Sequence, residues 1–293
     1  MAIPHTVLRS RHTEVVIGAD RPFVIVGERI NPTNRAALTA QLIAGDMSVV
    51  GRDALAQLEA GARVLDVNVG TALGTEAEIM PMAVRAILEA ADAPLAIDSA
   101  DPAAIEAGLA AVREACGRNA KALINSTTAE AARLDSVLPL AVEYEAAVIG
   151  LTSDERGIPE RPEGRLELAA LIVERAVAAG IPREDVIIDG LTLTVGADQS
   201  AAVCTMAVTD RVGRELGLNT ISGASNVSFG LPARRDLNTA FLAMMIARGL
   251  NAAIANPLHP EIGSTVLAAD LLMQRDRYAK AWITAQRARA GEP

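Results

Sequence analysis

Aromatic residues are scarce in this chain: three Phe, two Tyr and one Trp among 293 residues. A core without large rings has to be filled by Val, Ile, Leu and Ala, which suits buried parallel strands wrapped by Ala-rich helices. Positive charge is also in short supply. A net charge of -9 with no basic cluster argues against nucleic acid and against an anionic membrane surface as partners. Two cysteines far apart, Cys116 and Cys204, support neither a disulfide framework nor a zinc site, and imply a reducing, cytoplasmic setting. No apolar run reaches the roughly 18 residues of a spanning helix. Residues 1–20 carry Arg9, Arg11 and His12 without the apolar segment of a signal peptide. The chain also lacks a G-x-G-x-x-G after its first long apolar run, which weighs against dinucleotide binding.

What recurs is a module of helix, glycine, short turn, apolar strand and polar end. Apolar runs at 23–26, 63–67, 94–98, 121–125, 146–151, 185–188, 219–224 and 252–255 predict strands. Between them lie helical patterns. One runs through Val50, Ala54 and Leu58 and stops at Gly61, one spans 76–91, and one starts at Asp101-Pro102 with Ile105, Leu109 and Val112 on one face. Others follow Ser126-Thr-Thr128, carry Leu168, Leu171 and Ile172 up to Gly180, run through Val208, Val212 and Leu216 to Gly217, and span 237–248. A last helix is expected over 261–288. Eight strand and helix pairs without a compositional break predict a parallel sheet with right-handed crossovers, closed as an α/β (β/α)8 TIM barrel. The run at 15–18 predicts a short strand or hairpin closing the barrel floor. The expected organisation is an N-terminal extension, 1–22, packing on that floor, and a barrel domain over 23–293.

In such a barrel the site lies at the C-terminal ends of the strands. The residues there are Glu28, Asn31, Asp66, Asn68, Asp98, Asn125, Thr152, Asp189, Asn226 and Asn256. Lys and His are nearly missing from this ring, and general acid–base or Schiff-base chemistry would recruit them. His259, just past the last strand, reads as a solvated loop histidine. Asp66, Asp98 and Asp189 could in principle hold Mg2+ through oxygen ligands. The Asn-rich ring is better suited to a flat polar heterocycle, because a carboxylate accepts two hydrogen bonds from an amino-pyrimidinone edge while Asn both donates and accepts.

The motifs Gly27-Glu-Arg-Ile-Asn-Pro-Thr33, Leu65-Asp-Val-Asn-Val-Gly70, Ile97-Asp-Ser99, Leu123-Ile-Asn-Ser-Thr127, Ile149-Gly-Leu-Thr152, Ile188-Asp189 and Ser225-Asn-Val-Ser228 resemble, in order, the pterin-binding family of barrels. Within it they are similar to methyltetrahydrofolate:corrinoid-protein methyltransferases and to the folate domain of cobalamin-dependent methionine synthase. That resemblance implies tetrahydrofolate or 5-methyltetrahydrofolate as substrate, with Asp98, Asn125 and Asp189 on the pterin ring and Glu28, Asn68 and Ser225 completing the pterin-binding set. It implies that Asn226 is catalytic, bonding near N5, and that the chain itself holds no metal. The corrinoid would arrive on a partner protein, in agreement with the lack of an Asp-x-His-x-x-Gly loop here, and the chain would be a homodimer. Phe229 stands where some relatives have Gln, which leaves the corrinoid partner's identity open, as is the direction of transfer. The alternatives are a dihydropteroate synthase-like enzyme, whose usual first loop and late basic residues are missing here, and a non-catalytic folate-binding protein.

Overall fold

The computed structural model describes residues 4–71 and 74–290. The first and last three residues of the predicted extension and barrel therefore lie outside the described residues. Two short antiparallel strands, β1 (Thr6–Arg9) and β2 (Glu14–Ile17), form a hairpin. Eight parallel strands then close a barrel: β3 (Val24–Ile30), β4 (Val64–Asn68), β5 (Leu95–Asp98), β6 (Leu123–Thr128), β7 (Ala147–Leu151), β8 (Val186–Asp189), β9 (Thr220–Gly223) and β10 (Ala252–Ala255). Each strand bonds to the next and β10 returns to β3, the order that repeated right-handed crossovers produce.

The helices are α1 (Ala36–Ile43), α2 (Ser48–Glu59), α3 (Glu76–Ala90), α4 (Pro102–Cys116), α5 (Ala131–Glu143), α6 (Pro162–Ala179), α7 (Ala201–Arg211), α8 (Arg234–Ala247), α9 (Pro260–Leu272) and α10 (Lys280–Ala290). The cap expected at Asp101 is present: its carboxylate accepts the Ala103 N–H at 2.9 Å, ahead of Pro102 in the first turn. No helix among the described residues is long and apolar enough to cross a membrane.

Strand alternation sorts the core into two layers. Val24, Val26, Val64, Ala96, Leu123, Ala147, Ile149, Ile187, Ile221 and Ala252 point into the barrel and pack on one another. The hairpin adds Leu8, Val15 and Ile17 to that same cluster, so it plugs the N-terminal ends of the strands. Asn219 latches it there, its amide donating to Pro4 O, Thr6 Oγ1 and Ile17 O. The outward residues, among them Leu65, Val67, Leu95, Ile97, Ile124, Val148 and Ile188, meet the helices in the larger outer layer.

Close packing there depends on Gly108. A Cβ at that position in α4 would lie 2.8 Å from Ile97 Cγ2 of β5 and 2.9 Å from Met80 Cγ of α3. Gly108→Ala is therefore expected to destabilise by about 1–3 kcal/mol through overpacking. A thermal melt checks this, and an unchanged midpoint would show that the interface yields freely.

Three expectations change. The expected helix over 261–288 is two, α9 and α10, with Gln274, Tyr278 and Ala279 between them at positive φ. The cause is Asp276, whose carboxylate accepts the Ala281 and Trp282 N–H groups at 3.0 Å and so starts a new helix instead of continuing the old one. Ahead of the helix through Val50 an additional one, α1, forms. It ends at Gly45 in the left-handed region, and Asp46 accepts the Ser48 N–H to begin α2. The strand expected over 219–224 ends at Gly223 and continues as a 3-10 turn, Ala224–Ser228. The helix expected through Leu168, Leu171 and Ile172 up to Gly180 forms as α6, with Leu168 and Ile172 buried one turn apart and Leu171 on the outer face.

Candidate active site

The strand parity that fills the barrel also aims the polar ends. Asp66 and Asn68 follow Val64 at steps of two, Asp98 follows Ala96, Asn125 follows Leu123, and Asp189 follows Ile187. All five share the inward face. Register then aligns Asn68, Asp98 and Asn125 side by side across β4, β5 and β6. Asn68 donates from its amide to Asp98 Oδ2 at 2.9 Å and accepts the Gly70 N–H at 2.9 Å. Its role within the chain is thus to orient Asp98. Asn125 reaches one level down and donates to Asp66 Oδ1 at 3.0 Å, leaving its own oxygen and second N–H for a ligand.

Asp66 is buried beneath this row. Burial, and then the negative charge of Asp98, hold its carboxyl well above the usual carboxylate range. Burial also raises Asp98, opposed by the hydrogen bond from Asn68. Two facing carboxyls do not both ionise readily, and the deeper one, Asp66, keeps the proton.

Asp189 ends β8 on the other side of the mouth. Its Oδ1 accepts the Leu191 N–H at 2.7 Å and its Oδ2 faces the Gly223 N–H at 3.4 Å. Burial pushes it up to about 6, against the lowering effect of these two N–H groups and of Arg165. Gly223 is the point of close approach: a Cβ there would sit 3.1 Å from the Asn226 amide nitrogen. The 3-10 turn lifts Asn226 into the open mouth, where it is exposed and where no described residue bonds its side-chain amide.

The remaining predicted residues fall in a second neighbourhood. Glu28 on β3 and Ser225 face each other at 3.5 Å. They line a cavity of about 350 Å3 with Arg29, Arg234, Arg235, Asn238, Asn256 and His259. It lies beside the Asp–Asn row rather than over it. Burial raises Glu28, opposed by Arg29. His259, expected as a solvated loop residue, is half-buried in this wall and pairs with Asn256 Nδ2 at 3.2 Å; desolvation, then Arg235, lowers its affinity for a proton. Two ring residues serve the scaffold. Thr152 is buried and donates to Asp189 O at 3.3 Å, and Asn31 accepts the Thr33 N–H at 2.9 Å. No group of three or more His, Cys, Asp or Glu is arranged to hold a metal ion among the described residues.

A model of the pterin binding enzymes matches residues 27–256. The chain belongs to that family. It is 29% identical over 272 residues to the methylcorrinoid:tetrahydrofolate methyltransferase of Eubacterium limosum, covering 90% of this chain and 96% of that protein. It is 28% identical over 257 residues to the methionine synthase of Mycobacterium tuberculosis, covering 84% of this chain but 21% of that longer protein. Among solved structures, dihydropteroate synthase of Xanthomonas albilineans in complex with 7,8-dihydropteroate superposes with a TM-score of 0.67 at 19% identity, covering 91% of this chain and 98% of that one. Dihydropteroate synthase of Yersinia pestis gives 0.65 at 18%, covering 92% and 100%. These two likenesses establish the shared barrel. The family resemblance drawn from the motifs is thereby shown.

Three residues that sequence reasoning missed hold the loops of this mouth in place. Arg165, fully buried, donates to Pro159 O, Gly190 O and Leu191 O and so clamps the loop after β8. Arg133 ties the Ser99, Ala100 and Ser126 carbonyls, joining the ends of β5 and β6. Arg234 donates to Ser225 O and Ser228 Oγ and fixes the turn that carries Asn226. A lone arginine in a helix ordinarily reads as a solvated charge, so none of these gave a signal.

Ligand binding should report the state of Asp189. If a pterin edge donates to its ionised carboxylate, affinity for tetrahydrofolate is expected to be flat above about pH 7 and to fall toward roughly tenfold per unit below about 6. Titration calorimetry in buffers of different ionisation heat should then show a proton released on binding at pH 5.5. An affinity unchanged between pH 5 and 7 would remove Asp189 from the contact.

Proposed function

We propose that this protein is a methyltransferase that moves a methyl group between a corrinoid carried by a partner protein and N5 of tetrahydrofolate, in the direction of tetrahydrofolate. The observation that carries the reading is the mouth itself, where ligand-facing carboxylates and amides converge and an Asn amide is held free over them. Similarity along nearly the whole length of a methylcorrinoid:tetrahydrofolate methyltransferase supports it and favours that direction. The site matches the donor pattern of a reduced pterin. Asp98 and Asp189 accept from the amino-pyrimidinone edge, and Asn125 offers an oxygen and an N–H.

In this reading the N5–carbon bond forms as the carbon–cobalt bond breaks. The electron pair of the broken bond stays with cobalt, and N5 gives up its proton to solvent. Such a displacement asks the chain for no nucleophile. Positioning and electrostatics are what its residues contribute. Asp98, oriented by Asn68, and Asp189, held by the Leu191 N–H, fix the ring so that N5 lies under Asn226. The Asn226 amide serves N5 in both states: its oxygen accepts from protonated N5, and its N–H donates to the neutral amine after rotation. The protonated Asp66 beneath holds Asn125 without adding a second full charge under the ring.

The test is anaerobic incubation, in the dark, with tetrahydrofolate and methylcobalamin or a methylated corrinoid protein. Loss of the methyl–cobalt absorption together with formation of methyltetrahydrofolate is expected. Binding of tetrahydrofolate with no transfer from the methylated corrinoid protein would make the chain a folate-binding protein instead. Failure to bind tetrahydrofolate at all would end the pterin assignment.

A further inference from the structure

The cavity beside the Asp–Asn row is cationic in an acidic protein. Arg29, at the exit of β3, and Arg234 and Arg235, at the start of α8, converge on it against Glu28 and Glu261. Of the three guanidinium groups, only Arg234 bonds to the chain, through Ser225 O and Ser228 Oγ. Among the described residues neither Arg29 nor Arg235 is paired with a carboxylate or donates a side-chain hydrogen bond, although the chain carries nine more acidic than basic side chains. Glu28 is half-buried and bonded by Ser225, so it does not neutralise the group fully. Arg29 is also anchored through its backbone, its N–H donating to Gln57 Oε1 at 2.8 Å. The result is a built pocket with two unengaged cations, sized within the roughly 300–1,000 Å3 of small-molecule sites.

Its position says what anion it meets. In a folate, C6 is bonded to N5 and carries the aminobenzoyl-glutamate tail. The tail therefore leaves the ring on the N5 side. Asn226 stands at N5 in the reading given above, and its chain neighbour Ser225 lines the cavity. We propose, resting on that reading, that this cavity receives the benzoyl-glutamate tail of folate, with Arg29 and Arg235 binding its carboxylates. Guanidinium groups suit this because they bind carboxylates in a planar, two-point fashion. The pterin row and the arginine pocket then form one elongated site that distinguishes folates from tail-less pterins.

The experiment compares dissociation constants of tetrahydrofolate, its triglutamate and 6-methyltetrahydropterin, which lacks the tail, for the unmodified protein and for Arg29→Ala, Arg235→Ala and the double variant. The unmodified protein is expected to bind tetrahydrofolate at least about tenfold more tightly than the tetrahydropterin. In the double variant that ratio should fall to roughly threefold or less; in the unmodified protein, and not in the double variant, added salt should weaken tetrahydrofolate binding far more than tetrahydropterin binding. Arg235 is exposed, so its single variant tests the pocket without risk to folding. A folate-to-pterin ratio that survives in the double variant would overturn the tail assignment. So would a double variant that loses affinity for a hydroxymethylpterin diphosphate and not for folate, since the arginines would then form a diphosphate site. If neither tetrahydrofolate nor the tetrahydropterin binds the unmodified protein, the pterin reading falls and the tail assignment with it.

Discussion

Asn226→Ala is expected to lower the turnover of methyl transfer by roughly a hundredfold to a thousandfold, the effect of removing one preorganised polar group from a reacting centre. The KM for tetrahydrofolate should change much less. The reason is geometric. Asn226 sits on a 3-10 turn that Arg234 and the Phe229 N–H hold from below, and its amide meets no described residue. Truncating it leaves the turn and the Asp–Asn row intact, so the loss falls on the step in which N5 changes its bonding. Single-turnover spectra of the methyl–cobalt band separate that step from folate affinity. Equal losses in the two would demote Asn226 to an ordinary binding residue. Gly223 offers a second handle, because a Cβ there would press on the Asn226 amide from 3.1 Å and force it to another rotamer.

The second large effect is expected at Asp189. Replacement by Asn should weaken tetrahydrofolate binding by roughly a hundredfold, about 3 kcal/mol, because an amide N–H would stand where a carboxylate oxygen faces the Gly223 N–H and, in the proposed complex, accepts from a pterin N–H. Stability should move the other way. Burial raises the Asp189 carboxyl to about 6, so ionising it costs the folded protein stability as pH rises from the unfolded value of 3.8 through 6. A neutral side chain avoids that cost, and the Leu191 N–H keeps an oxygen to donate to. At pH 8 the variant should melt no lower than the parent while binding folate poorly, a trade of stability for function confined to one group. Parallel losses of melting temperature and affinity would mean instead that Asp189 holds the β8 loop and little else.

The barrel was legible because its rule is local. Eight apolar runs, each followed by a polar residue and a helix, can close only one way once crossovers are right-handed. The hairpin was half legible: Val15 and Ile17 were readable as a strand, whereas its partner β1 carries Thr6 and Arg9 at its ends and depends on contact with the floor. The last helix was misread because periodicity runs through Leu271, Leu272 and Met273 without a proline or glycine to interrupt it. The break is made by Asp276 bonding to the backbone beyond it, a choice that a hydrophobic pattern does not record.

For the site, the sequence by itself determined the list of polar strand ends and the family they resemble, because strand parity commits a residue to one face before anything else is known. It also excluded a His- or Lys-centred chemistry at those ends. Only the tertiary structure decided how the list divides. Asn68, Asp98 and Asn125 form one row through sheet register, Asp66 goes beneath it, and Glu28 and Ser225 turn toward an arginine pocket that includes His259. It alone recruited Arg133, Arg165 and Arg234 as clamps. Those roles arise from carbonyls brought within hydrogen-bonding reach by loops distant in the chain. Side chains of that kind acquire a function only when the barrel has closed around them.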